Sequence, residues 1–269
     1  MPLVHGPPPF VATPVARPGP GLGVLTQAGG LNDDLHKFSE NTMAIQPDAG
    51  EFLQQWMLWQ LADSAFPTGG FAHSAGLEAA WQQSEVRDRK ELASFLEASL
   101  QQLGHASLPF VTAAFDQPAR VAEWDGLCDA FTTNHVANRA SRSQGRAFLA
   151  AVERIYPSGL RSVNESEPLA CGHFAPVFGC SLGRLGVSRA TTAGLFFFCQ
   201  LRGMVTAGVR LNIVGPMEAQ ILQQHLSPVA GRILQNCANL TPENIAQTAP
   251  LLDLWQGAQD RLYSRLFQS

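Results

Sequence analysis

Two cysteines and a histidine that lie close together in the chain, Cys171, His173 and Cys180, have side chains that could hold a metal ion. Thiolate sulfur and imidazole nitrogen are ligands that borderline divalent metals accept, provided that the loop folds back to bring them together. The spacing matches no known zinc-finger pattern, and Cys180 lies among apolar residues, where a small buried thiol packs without any ligand role. We therefore predict no metal site, and a metal-binding protein or metalloenzyme that uses these three residues stays as the alternative.

A pair of glycines marks a second candidate site, because Gly69 and Gly70 follow Pro67 and precede an expected helix. Free backbone N–H groups at the start of a helix can bind an anion. A glycine pair alone is weak evidence for such a ligand, whereas a proline followed by glycines is typical of a sharp turn between packed helices. We interpret Pro67, Gly69 and Gly70 as a structural turn in which at least one glycine has a positive φ angle.

Three arginines, Arg139, Arg142 and Arg146, are separated by three and four residues, which places them on one face of a helix. Guanidinium groups in such a row can bind carboxylates or phosphates. A row of charged residues also commonly marks only the solvated face of a helix. Both interpretations stay open, and we treat the three arginines as candidate partner-binding residues.

The sequence contains no local signature of a known catalytic or nucleotide-binding site. It has no phosphate-binding GxxxxGKS/T, no dinucleotide-binding GxGxxG between a strand and a helix, and no GxSxG, HExxH or CxxC motif. We assign no catalytic residue and expect a protein without enzymatic activity.

The composition restricts the class of protein. Of the 269 residues, 45% are hydrophobic and 15% are charged, so most of the chain must fold around a core. The formal net charge of −4 argues against the basic surface that nucleic-acid binding requires, and we expect no nucleic-acid partner. Five cysteines without the dense spacing of disulfide-rich domains favour a reducing compartment, and we expect a cytoplasmic protein.

No segment of the sequence is predicted to cross a membrane. The longest purely apolar run near the middle of the chain, residues 193–199, is far shorter than the ~20 residues that a spanning helix needs. We therefore expect neither a transmembrane helix nor a membrane partner.

The elements that must position these residues are helices. Residues 1–50 hold eight of the 18 prolines and seven of the 24 glycines, and we expect a disordered extension there. From residue 51 apolar residues follow helical spacing, and no alternating strand pattern or internal repeat is found. We predict an all-α fold, a single-domain bundle of about ten helices over residues 51–269. The predicted helices are 51–62, 72–83, one that begins at the Asp88–Glu91 capping box and contains the Leu92–Leu103 stripe, 119–132, 134–155, 174–186, 188–212, 216–224, 227–238 and 251–266.

Several blocks of the sequence, in the same order along the chain, resemble the UreF family of urease accessory proteins. The resemblance covers essentially all of residues 51–269, and ordered blocks are more specific than any single motif. Ala72 and His73 replace the commoner Ser-Tyr pair, and Gln268 stands where many bacterial versions carry a basic residue, so the chain looks closer to the plant-type versions. The blocks are residues 58–78 (LWQLADSAFPTGGFAHSAGLE), 138–145 (NRASRSQG), 173–179 (HFAPVFG), 210–216 (RLNIVGP), and 250–253 followed by 263–269 (YSRLFQS).

The resemblance implies an all-α, non-enzymatic scaffold that forms a homodimer, binds the accessory protein UreD (UreH in some systems) and recruits the GTPase UreG. That complex delivers nickel to apo-urease, so nickel would be handled by the complex and no cofactor would be bound stably. By analogy, residues 263–269 would become ordered on binding UreD. The resemblance thus makes five residues of that stretch candidates for partner binding, beside the arginine row: Tyr263, Arg265, Leu266, Phe267 and Ser269. The alternative becomes a helical nickel-binding protein or metalloenzyme that uses Cys171, His173 and Cys180.

Overall fold

Helices are the regular elements of the computed structural model, which describes residues 48–157 and 169–269 and shows no strand within them. The prediction of an all-α fold is confirmed. Of the disordered extension predicted over residues 1–50, residues 1–47 lie outside the described residues, whereas residues 49 and 50 belong to the first helix. The division of the chain at residue 50 stays a prediction. The helices are α1 (Ala49–Ala62), α2 (Leu77–Gln82), α3 (Arg89–Gln102), α4 (Leu108–Asp116), α5 (Val121–Phe131), α6 (His135–Ile155), α7 (Phe174–Arg184), α8 (Arg189–Arg210), α9 (Pro216–Cys237) and α10 (Pro250–Ala258).

Side-chain caps fix the starts of several helices. The Asp88 carboxylate accepts the N–H of Glu91 at 2.9 Å, which confirms the predicted start of α3. Asn134 accepts two N–H groups at the start of α6, and its amide also donates to Asp253 O at 2.7 Å. A cap of this kind contributes about 1 kcal/mol to helix stability. The second bond of Asn134 additionally joins α6, which carries the arginine row, to α10, the helix that precedes residues 262–269.

The helix α7 forms the centre of the bundle, and its first nine residues are all buried. It packs most extensively against α4 and α6. Neighbouring ring centroids within one group of four phenylalanines are 5.1 to 5.8 Å apart, in tilted, edge-on and stacked arrangements. Burying one such side chain contributes up to about 3 kcal/mol, so this group is a large part of the core. The four are Phe148, Phe174, Phe178 and Phe196.

Among the described residues, α8 is the one helix whose length and mean hydropathy, 1.2 over its most apolar window, would suffice to cross a membrane. Its Phe196, Phe197 and Leu201 are buried in the bundle, and the helix packs against α3, α7 and α9. Length and apolar composition are shared by the core helices of many proteins, and the packing of α8 is that of a core helix. The absence of a membrane partner stays a prediction.

The predicted break between residues 224 and 227 is wrong, because α9 continues through Pro228. A proline inside a helix removes one N–H and leaves the carbonyl four residues earlier without its usual donor, at a cost of about 3 kcal/mol. That carbonyl belongs to Gln224, and the Ser227 hydroxyl donates to it at 2.9 Å. The hydroxyl supplies the donor that Pro228 lacks, which allows one long helix.

Other predicted boundaries also differ from the structure, and the helix predicted from residue 72 begins only at Leu77. The helix α3 passes through one π-helical turn, Leu103–Ser107, directly into α4, which the sequence pattern did not predict. The predicted helix over 251–266 ends early, because α10 stops at Ala258 and a 3₁₀ turn, Gln259–Arg261, follows. Residues 262–269, here called the closing segment, are not helical. They pack instead against the turn before α2, as described next.

Candidate functional site

The closing segment runs along the turn and the start of α2. Gln268 N donates to Ala72 O at 2.8 Å, and Ser74 N donates to Ser269 O at 2.5 Å. The Ser74 hydroxyl donates to the same Ser269 oxygen at 3.1 Å, across a sequence separation of 195 residues. Backbone hydrogen bonds therefore join two stretches that lie near opposite ends of the described chain.

A buried carboxylate, Glu78, anchors the closing segment. It is 1% exposed and accepts the backbone N–H groups of Leu266 at 2.6 Å and Phe267 at 3.1 Å. The side-chain amide of Gln259 donates to it at 2.6 Å. A buried charge is costly unless it is hydrogen-bonded, so these three donors permit Glu78 to lie inside the protein. Two of the three belong to the closing segment.

Arg210, the last residue of α8, covers the closing segment from the other side. Its guanidinium carbon lies 4.1 Å from the centre of the Phe267 ring, a cation–π contact. The same guanidinium donates to the carbonyl oxygens of Phe71 and Leu266. Phe267 is consequently a core residue of this chain, buried between α2 and α8.

Three of the five candidate partner-binding residues in the closing segment are accessible. Tyr263, Arg265 and Leu266 are exposed, whereas Phe267 and Ser269 are buried against their own chain. The structure thus differs from the expectation of a segment that becomes ordered only on binding. The physical reason is that Leu266 and Phe267 donate their N–H groups to the buried Glu78, and that the apolar ring of Phe267 is buried in the bundle. Partner contact by these residues stays a prediction.

Asp260 connects the arginine row to the closing segment. Arg139 donates to both of its carboxylate oxygens, at 2.8 and 3.1 Å, and Arg265 donates to one of them at 3.3 Å. His135 Nε2 lies 3.2 Å from the other oxygen. The pKa of Asp260 is held below its ordinary value, chiefly because Arg139 donates hydrogen bonds to its carboxylate. A single exposed pair contributes little, but a bidentate pair within a network fixes the orientation of both arginines.

The arginine row borders a shallow groove of about 700 Å³ beside the start of α6. Arg146 Nε donates to Cys171 O at 3.0 Å, and Arg139 is held by Asp260. Arg142 is partly exposed and makes no hydrogen bond or ion pair to another residue in the described parts of the chain. The three arginines do share one face, as predicted, but two of them have structural partners. Arg142 is thus the member best placed to receive an external acid.

The glycine turn has the predicted conformation, since Gly69 has φ +70°. The Thr68 hydroxyl accepts Gly70 N at 3.3 Å within the same turn. A Cβ atom added at Gly69 would meet nothing within 4 Å, so a larger residue there is opposed by the backbone conformation alone. The turn after Pro67 leads the chain directly into residues 72–74, which form hydrogen bonds with the closing segment.

His73 lies under the end of the closing segment, with its Nδ1 2.5 Å from the Ser269 hydroxyl. Burial lowers the pKa of His73 below its ordinary value, and the positive charge of Arg139 lowers it further. Both effects favour the neutral imidazole. A neutral ring can exchange a hydrogen bond with the serine hydroxyl, whereas a charged one would face Arg139.

A second cluster of polar side chains lies at the end of α5. Asp129, Cys171 and His173 each bring one potential ligand atom to within 4.8 Å of the others. The sequence had suggested Cys171 and His173 with Cys180, but Cys180 is buried in α7, its sulfur 4.0 Å from Pro118 O. The structure thus keeps two of the three residues and replaces the third. Asp129 was missed because it lies 44 residues before His173, and no local pattern links the two.

A second aspartate on α5 builds the loop that carries Cys171 and His173. The buried carboxylate of Asp125 accepts the backbone N–H groups of Cys171, Gly172 and His173 at 2.9, 2.9 and 2.7 Å. Three charge-assisted bonds to one carboxylate fix the turn. Because Asp125 and Asp129 are four residues apart, they project from the same face of α5 toward this loop.

The imidazole of His173 is fully buried and contacted at both nitrogens. Nδ1 lies 3.0 Å from the Ser141 hydroxyl, and Nε2 lies 3.0 Å from Asp129 Oδ1. The ionised carboxylate of Asp129 can only accept a hydrogen bond, so Nε2 carries a proton and donates it, and in the neutral ring Nδ1 then accepts the Ser141 hydroxyl. A serine on α6 thus orients the ring toward the carboxylate on α5.

Close packing of α6 against this loop depends on Gly145. A Cβ atom at that position would lie 2.1 Å from Gly172 O, a distance that no side chain permits. Gly145 therefore allows Ser141, one helical turn earlier, to reach His173.

The charges around the cluster set the state of its ligands. Hydrogen bonds from Asn138, and then from His173, hold the pKa of Asp129 below its ordinary value, so the carboxylate stays ionised. Burial raises the pKa of the Cys171 thiol, and the negative charges of Asp125 and Asp129 raise it further. At neutral pH the thiol of Cys171 is therefore protonated, and the carboxylate of Asp129 accepts hydrogen bonds from Asn138 and His173.

An exposed apolar face on α1 was not singled out from the sequence. Its aromatic side chains contact one another, with ring centroids 5.9 Å apart for Phe52 and Trp56 and 6.3 Å apart for Trp56 and Trp59. Leu53 lies beside them, and all four residues are exposed. Large contiguous apolar surfaces of this kind commonly mark contacts with other proteins.

Comparison with known proteins gives a consistent result. The model of the UreF family matches residues 86–227. Urease accessory protein F of Oryza sativa subsp. indica is 39% identical over 220 residues, which cover 79% of this chain and 84% of the relative. Urease accessory protein F of Arabidopsis thaliana is 38% identical over 80% of this chain and 92% of its own length. Urease accessory protein UreF of Bacillus sp. (strain TB-90) is 25% identical over 79% of this chain and 97% of the relative.

Proposed function

The chain belongs to the UreF family of urease accessory proteins, and we propose that it is a non-enzymatic assembly factor for the nickel centre of urease. In this proposal the protein forms a homodimer in the cytoplasm, binds UreD or UreH, and recruits the GTPase UreG to apo-urease. Nickel is the cargo of the complex. The absence of a phosphate-binding loop from the sequence supports the assignment of nucleotide hydrolysis to the partner.

The observation that carries the proposal is that blocks distant in the sequence, each resembling the family, form one surface. Glu78 binds the closing segment, Arg210 covers it, and Arg139 is tied to it through Asp260. Four exposed side chains lie on or beside the segment that these contacts hold: Phe71, Tyr263, Arg265 and Leu266. They are called the closing-segment surface below.

The chemistry of this surface suits a protein partner. Aromatic and arginine side chains dominate the energetics of protein interfaces, and they contribute most when their positions are fixed before binding. Arg265 is oriented by Asp260, and the backbone beneath Leu266 is held by Glu78. We therefore propose that UreD or UreH binds this surface. The exposed aromatic face of α1 offers a further surface for the homodimer or for a second partner.

A pull-down with UreD tests the proposal. The double variant Tyr263→Ala, Leu266→Ala removes two exposed side chains and no hydrogen bond made by the closing-segment backbone. We expect UreD binding to weaken at least tenfold, the effect of losing a hot spot of about 1.4 kcal/mol or more, and urease activation to fall with it. Unchanged thermal melting would show that the fold is intact.

The matched control is Met217→Ala, which truncates another highly exposed apolar side chain, at the start of α9. It should bind UreD as the unaltered chain does. Arg142→Glu separately tests the groove along α6, and we expect it to weaken recruitment of an acidic partner without a change in melting. Full UreD binding by the double variant would contradict the assignment of this surface, and failure of the unaltered chain to bind UreD or support activation would contradict the proposed function.

A further inference from the structure

We propose that Asp129, Cys171 and His173 form a binding site for one divalent transition-metal ion, of the Zn²⁺ or Ni²⁺ class. Their three ligand atoms lie within 4.8 Å of one another, so a small adjustment of side chains brings all of them to a common centre. Sulfur, nitrogen and oxygen together suit a borderline metal and disfavour Mg²⁺ and Ca²⁺, which take oxygen ligands.

The surrounding residues hold the ligands as the supporting residues of metal sites do. Ser141 contacts Nδ1 of His173, which leaves Nε2 directed at Asp129 and toward the centre of the cluster. Metal-binding histidines are usually oriented by a hydrogen bond at the other ring nitrogen. When the metal binds Nε2, the imidazole proton moves to Nδ1 and is donated to Ser141, while the Cys171 thiol releases its proton.

The loop backbone is also fixed before a metal arrives. Asp125 holds three consecutive N–H groups, and Arg146 holds Cys171 O at 3.0 Å. Little ordering of the loop is therefore needed on binding, which favours affinity.

The site has an opening to solvent. The side chain of Asp129 is 39% exposed and Cys171 is partly exposed, whereas His173 lies at the closed end. Three protein ligands leave one position of a tetrahedral metal open, as in sites that exchange a ligand. Such a site suits reversible binding more than a permanent structural role.

Metal titration of the chelator-washed full chain tests this inference without any partner protein, so its outcome is independent of the proposed function. We expect one equivalent of Ni²⁺, Zn²⁺ or Co²⁺ to bind, with a sulfur-to-metal charge-transfer band for Co²⁺ and Ni²⁺. Cys171→Ser should abolish the band and weaken binding at least tenfold. Asp129→Asn should weaken binding to a similar extent but keep the band, since removal of groups in or around a metal site typically costs ~10- to 100-fold in affinity.

The control is Cys180→Ala, which removes the thiol that the sequence alone had suggested and should leave affinity and spectrum unchanged. Protection of Cys171 from alkylation by saturating Zn²⁺, with Cys199 as the internal reference, provides a test in the unaltered chain and does not depend on the folding of any variant. Absence of binding, equal binding by the Cys171 and Asp129 variants and the unaltered chain, or alkylation of Cys171 unaffected by Zn²⁺ would overturn the site.

Discussion

Single buried carboxylates hold the irregular segments of this helical protein. Glu78 accepts N–H groups from the closing segment, and Asp125 accepts those of the loop at residues 171–173. The N–H groups that these two carboxylates accept belong to no helix or sheet, so they need another acceptor inside the protein. One acidic residue on a helix thereby positions a stretch that lies far away in sequence.

The altered pKa of His73 makes stability depend on pH. Its pKa is lower in the folded chain than in the unfolded chain, so the folded state favours the neutral ring. The resulting stability is present above the unfolded value of about 6.5 and is lost as the pH falls through that value toward the folded one. We expect His73→Gln to melt with a smaller loss of Tm between pH 7.5 and 5.5 than the unaltered chain. Parallel losses in both proteins would assign the pH dependence to other groups.

The limits of sequence reasoning at this scale follow from the distances involved. Cys171 and His173 are neighbours and could be identified together, whereas Asp129 enters the cluster only through the packing of α5 on the loop. The common face of the arginine row follows from helical spacing. That Arg139 is tied to Asp260 while Arg142 is not depends on where the chain goes after α10.

At the scale of helices, apolar spacing and caps predicted most elements, because both are local. The structure departs from the predicted helix boundaries where a side chain supplies a hydrogen bond that the local sequence pattern does not reveal. Pro228 predicts a break, but the Ser227 hydroxyl supplies the missing donor. Apolar residues near 262–267 predict more helix, but Glu78 takes the N–H groups of Leu266 and Phe267.

Deletion of residues 263–269 should therefore destabilise the protein. It exposes the site of Phe267, whose burial contributes up to about 3 kcal/mol, and removes two of the donors to Glu78. We expect Tm to fall by roughly 5 to 10 °C, since 1 kcal/mol corresponds to about 2–4 °C in a domain of this size. Tyr263→Ala, a change at a fully exposed position of the same segment, should leave Tm within about 1 °C. An unchanged midpoint after the deletion would contradict the docking of the segment.

For the molecule as a whole, the all-α class could be predicted from sequence, and the surface could not. The candidate partner surface is assembled from the turn before α2, the end of α8 and the closing segment, which meet only in the folded chain. The exposed aromatic face of α1 is similarly clear only once the packing of that helix is known, because Trp56 and Trp59 would be as suitable for a core.

The start of the folded unit can be tested by comparing fragments 48–269 and 51–269. Helix α1 is attached to the bundle through Gln54, whose amide donates to Gly186 O at 3.2 Å, and through Gln60, which accepts the Tyr156 hydroxyl at 2.7 Å. Both fragments keep these bonds, and we expect both to unfold cooperatively and to bind UreD. The shorter one lacks Asp48, which accepts Gly50 N at 3.0 Å, so fraying of the first turn of α1 should lower its stability by about 1 kcal/mol at most. Calorimetry together with UreD pull-downs measures both properties. A broad, non-cooperative transition for fragment 48–269 would show that residues before Asp48 are needed for folding, and cooperative unfolding without UreD binding would assign those residues to the partner contact.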